Sequence, residues 1–81
     1  MFINKAKDGR NNLCGKMVAQ KRIEMKLSQR ELADRLQLYG LDVDKNAIQR
    51  IECGKRFVTD IELKAIAKIF NMSCDELLCN D

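Results

Sequence analysis

Apolar residues recur along this chain at intervals of three and four, the spacing that lines one side of a helix. Between Leu13 and Met25 the positions Cys14, Val18 and Met25, with Met17 beside them, stand among Lys16, Lys21 and Lys26 and predict a first helix. Ser28-Gln29-Arg30-Glu31 has the S-x-x-E form of a capping box, so a second helix is predicted from Gln29, with Leu32, Ala33 and Leu36 facing inward. Gly40 supplies a left-handed stop, which extends the prediction to Tyr39. Leu41-Asp42-Val43 is a connector, and Val43 is expected to plug into the core with Tyr39 covering the corner.

Asp44 is a natural N-cap for a third helix, Lys45 to Cys53, stopped by Gly54. Ile48 and Ile51 mark its buried side. Side chains set about 100° apart then place Asn46, Gln49, Arg50 and Cys53 on the opposite side, with Lys45 at its margin. Thr59-Asp60-Ile61-Glu62 repeats the capping box and opens a fourth helix to Phe70, apolar around most of its circumference except Lys64 and Lys68. Ser73-Cys74-Asp75-Glu76 does so again before Leu77 and Leu78, predicting a short fifth helix that closes the core. The fold class expected is all-α, a compact five-helix bundle over residues 13–81. Residues 1–12 are polar and aperiodic, and are expected to form a flexible N-terminal arm.

Composition supports one small helical domain. The 81 residues include no Pro and only four Gly, with 46% hydrophobic and 33% charged. Charge is unevenly divided: residues 1–58 carry 13 Lys/Arg against 7 Asp/Glu, whereas residues 59–81 carry 2 against 5. The basic part is the part suited to meet phosphate. No apolar run approaches the roughly 18 residues of a membrane span, and Met1-Phe2-Ile3-Asn4-Lys5 lacks a signal peptide's apolar core, so a cytoplasmic protein is expected.

Cys14, Cys53, Cys74 and Cys79 contain no C-x-x-C pair, and the chain has no His, so neither a metal site nor any cofactor is expected and free thiols are the default. Cys53 falls on the outward side of the third helix as a small filler. No nucleophile stands beside a base in a recognised motif and no glycine-rich phosphate loop occurs, so no enzymatic activity is expected.

Taken in order, Leu27-Ser28-Gln29-x-Glu31-Leu32-Ala33, Ile48-x-x-Ile51-Glu52-x-Gly54-Lys55, Leu63-x-x-Ile66-Ala67 and Met72-Ser73-x-Asp75-Glu76-Leu77-Leu78 resemble the lambda-repressor-like (Cro/cI, XRE) helix-turn-helix family. The resemblance spans Leu13 to Leu78. It implies a transcriptional regulator of bacterial or phage type, most simply a repressor, whose third helix enters the major groove of double-stranded DNA, acting as a homodimer.

Carried over by position, Lys45, Asn46 and Arg50 fall where the family contacts bases, with Gln49 adjacent. Gln29, Lys55 and Arg56 are the corresponding candidates for phosphate. The same resemblance implies a structural ion pair between Arg22 and Glu52. One departure is the spacing from Leu36 to Ile48, twelve residues where the family's tight turn gives about seven. A second is Lys26, which stands where the family often has glycine. The competing expectation is a protein-interaction module, an antitoxin or accessory domain, gripping a partner protein with the same third helix.

Overall fold

The structure, a computed structural model, describes residues 9–78. Five helices are found among them, α1 (Gly15–Glu24), α2 (Gln29–Gln37), α3 (Lys45–Glu52), α4 (Asp60–Phe70) and α5 (Cys74–Leu78), with no strand. The all-α expectation is met. Residues 1–8 and 79–81, which include most of the expected arm and Cys79, lie outside the described residues.

Each later helix starts where a side chain satisfies backbone N–H groups that have no partner inside the helix. Ser28 Oγ accepts from the Glu31 amide at 3.0 Å while Glu31 Oε1 accepts from the Ser28 amide at 2.9 Å. Thr59 with Glu62, and Ser73 with Glu76, make the same reciprocal exchange. Asp44 Oδ1 accepts from the Ala47 amide at 2.8 Å, opening α3.

Val18, Leu32, Leu36, Ile48, Ile51, Ile66 and Leu77 are fully buried, one or more from every helix. Burying each such side chain is worth roughly 1.5–3 kcal/mol, so the bundle rests on these few residues. The α2–α3 contact is the most extensive, and α1 also packs on α3. Cys14, 1% exposed, belongs to this core, and burial pushes its thiol pKa up to about 11.

Several boundaries differ from the sequence expectations. α2 ends at Gln37, not Tyr39, because the Tyr39 and Gly40 amides bond back to Leu36 and Gln37, tightening the last turn. The connector 38–44 is held by Gln37, whose Nε2 donates to the Val43 carbonyl at 2.8 Å, and Val43 is buried. Tyr39 is half exposed and lines a groove with Leu41, Ile61 and Lys64 instead of sealing the corner. Met25 follows the end of α1 and is 40% exposed, so it is not part of the inward stripe. Lys26 adopts φ 59°, a left-handed conformation that costs an L-residue roughly 1–2 kcal/mol.

Of the arm expected over residues 1–12, only residues 9–12 are described. Arg10, Asn11 and Asn12 are built into the domain, with Asn12 buried against the end of α3. Their partners lie about forty positions away, which local polarity could not disclose.

Candidate nucleic-acid interface

α3 presents two chemically opposite sides. Ile48 and Ile51 are 0% exposed, whereas Lys45, Asn46, Gln49, Arg50 and Cys53 are all exposed. Asn46, Gln49, Arg50 and Cys53 line one shallow groove together with Lys55, which follows the helix. Lys45 and Asn46 also border a second groove with Arg30, Asp34, Gln37 and Asp44, where α3 meets α2.

Among the described residues, the side chains of Lys45, Asn46, Gln49, Arg50 and Lys55 make no hydrogen bond or ion pair with the protein. Their donors and acceptors are therefore available to a ligand, and no internal bond must break first. Arg and Asn in such a setting match the bidentate patterns of guanine and adenine edges.

The position of this side is fixed from behind. Arg22 Nε lies 2.7 Å from Glu52 Oε2 and Arg22 Nη2 lies 3.2 Å from Glu52 Oε1, tying α1 to the last residue of α3. Arg22 Nη1 also donates to the Leu27 carbonyl. Both side chains are largely buried, at 15% and 10% exposure. By contrast, Lys21 and Glu24 pair on the α1 surface at 35% and 51% exposure, where water screens the attraction and little stability is gained.

The three phosphate candidates fare differently. Gln29 is drawn into the ion pair, its Nε2 donating to Glu52 Oε1 at 3.1 Å. Arg56 Nη1 lies 2.9 Å from Glu62 Oε1, so its charge is already neutralised inside the protein. Burial alone would raise the Glu62 pKa, but hydrogen bonds from Arg56 and Thr59 outweigh it and hold the carboxyl below its ordinary value. Lys55 alone of the three is an exposed cation without a partner among the described residues.

Residues ahead of α1 were not among the sequence candidates, yet they complete the end of α3. The last carbonyls of a helix lack intrahelical partners. Here Gln49 O accepts from the Cys53 amide, and Arg50 O from the Lys55 and Arg56 amides. Ile51 O accepts from Gly54 N and Asn12 Nδ2, and Glu52 O from Arg10 Nη2 at 2.6 Å.

The strap continues along the following loop. Asn11 N donates to Gly54 O at 2.7 Å, Asn11 Nδ2 to Lys55 O at 2.9 Å and Asn12 Nδ2 to Arg56 O at 2.7 Å. Asn12 Oδ1 meanwhile accepts from the Gly15 amide at the start of α1. A Cβ at Gly15 would overlap the Ile51 carbonyl oxygen, so only glycine permits this approach of α1 to α3. The Asn12-to-Gly15 spacing is the one local signal of this arrangement; its reach to α3 has none.

Among the described residues no group of His, Cys, Asp and Glu could hold a metal ion, and no helix is long and apolar enough to cross a membrane. A family model described as a helix-turn-helix matches residues 18–77. Neither a curated protein nor a solved structure matches the chain.

Proposed function

The chain belongs to the lambda-repressor-like helix-turn-helix family, and from that membership we propose that it is a sequence-specific DNA-binding repressor that reads the major groove with α3. The observation that carries the reading is the row of exposed, internally unengaged side chains Lys45, Asn46, Gln49 and Arg50 on the face opposite Ile48 and Ile51. Asn46, Gln49 and Arg50 address base edges, with Lys45 at the N-terminal margin of the helix. Lys55 addresses phosphate from the same groove. Gln29 retains a second amide hydrogen for phosphate, whereas the Arg56 guanidinium is already engaged by Glu62. Two copies would place their reading helices about 34 Å apart, one turn of the duplex.

The same helix used as a grip on a protein partner would be expected to expose aromatic or aliphatic anchors, and its outward side offers amides and cations instead. A salt titration tests the DNA reading. Each phosphate neutralised releases counterions, so the logarithm of the affinity is expected to fall linearly with the logarithm of salt, at about 0.9 per contact. Duplex binding indifferent to salt would remove the proposal's physical basis.

A further inference from the structure

We infer that residues 10–12 form a clasp that fixes the loop after α3 and sets Lys55 for its phosphate contact, an inference that rests on the DNA-binding reading above. The clasp lies outside the matched residues 18–77, so family membership does not assign it a role.

Both backbone polar groups of Lys55 are committed: its amide donates to Arg50 O at 2.9 Å, and its carbonyl accepts from Asn11 Nδ2 at 2.9 Å. The residues on either side are held in the same way, Gly54 O by the Asn11 amide and Arg56 O by Asn12 Nδ2. Gly54 has φ +81°, and a Cβ there would come within 2.8 Å of the Arg10 side chain, so the loop and the strap are closely fitted. With its backbone fixed on both sides, Lys55 retains only side-chain freedom. A cation held in this way gives up less entropy on meeting phosphate than one on a loose loop. Asn11 is thus a positioning residue acting through Lys55, without touching DNA itself.

Asn11→Ala isolates this role. The substitution leaves the Asn11 backbone bond to Gly54 and all of Asn12's bonds in place, and the Lys55 carbonyl it releases is exposed enough to take water. The variant is expected to keep its helical circular dichroism and to bind every duplex about three- to tenfold more weakly, the equivalent of one lost hydrogen bond. Its salt slope should fall by up to about one, towards that of Lys55→Ala. In a Lys55→Ala background the same change should have no further effect.

Asn11→Ser, too short to reach the Lys55 carbonyl, serves as a second variant and should behave alike. A purely structural role would lower the melting temperature without moving the salt slope. An unchanged slope in Asn11→Ala, or a full additional loss on top of Lys55→Ala, overturns the clasp while leaving the DNA reading intact. Salt-indifferent binding by the unaltered protein overturns both.

Discussion

Replacing Asn46 and Arg50 together by alanine is expected to erase most discrimination between an operator and unrelated duplex while leaving the fold in place. Each bidentate contact to a base contributes about 1–3 kcal/mol of discrimination, so losing two should cost roughly 30-fold to 10⁴-fold in the ratio of specific to non-specific affinity. The protein should stay folded because both side chains are exposed and make no bond within it among the described residues. Affinity for random duplex should fall much less, since removing Arg50 takes away one cation and leaves Lys45 and Lys55. Competition binding against operator and random duplex measures the ratio. Retention of full selectivity by the double variant contradicts the assignment of α3 as the reader.

The second large effect concerns stability. Glu52→Ala removes the carboxylate that receives Arg22 Nε, Arg22 Nη2 and Gln29 Nε2, leaving Arg22 with the Leu27 carbonyl alone. With the pair only 15% and 10% exposed, the stranded guanidinium is expected to cost about 3–5 kcal/mol. Against the roughly 5–15 kcal/mol that holds a small domain together, this is a large fraction. The melting temperature should drop by more than about 10 °C.

Urea or thermal melts read the change directly, and Glu24→Ala in the exposed, solvent-screened α1 pair provides the contrast, with little or no change expected. Equal, small effects for both would show that Arg22 finds water when its partner is removed. Because Glu52 is the last residue of α3, its loss should also loosen the reading helix relative to α1.

What was legible in the sequence was whatever depends on neighbours three or four positions apart. The boxes beginning at Ser28, Thr59 and Ser73, the Asp44 cap and the Ile48–Ile51 side of α3 are all local relations, and each is found in the structure. Val43, flanked by Asp42 and Asp44 in a connector that also holds Leu38 and Leu41, is buried as expected.

The rest depended on distant partners. Asn11 and Asn12 look like loop residues until the end of α3 is placed beside them, and no periodicity encodes that meeting. Arg56 looks like any cation near a helix end, yet Glu62, which the box already explained as a cap, accepts from it as well. The end of α2 falls before Tyr39 because Gly40 marks the close of the turn, while the helix itself stops three residues earlier at Gln37.

Selection of bound sequences from a pool of random duplexes tests most directly whether α3 reads DNA. The unaltered protein is expected to enrich a short motif, repeated as a palindrome if two copies bind together, and the Asn46→Ala, Arg50→Ala double variant to enrich none. A pool that stays random after repeated rounds with folded, unaltered protein would contradict the account.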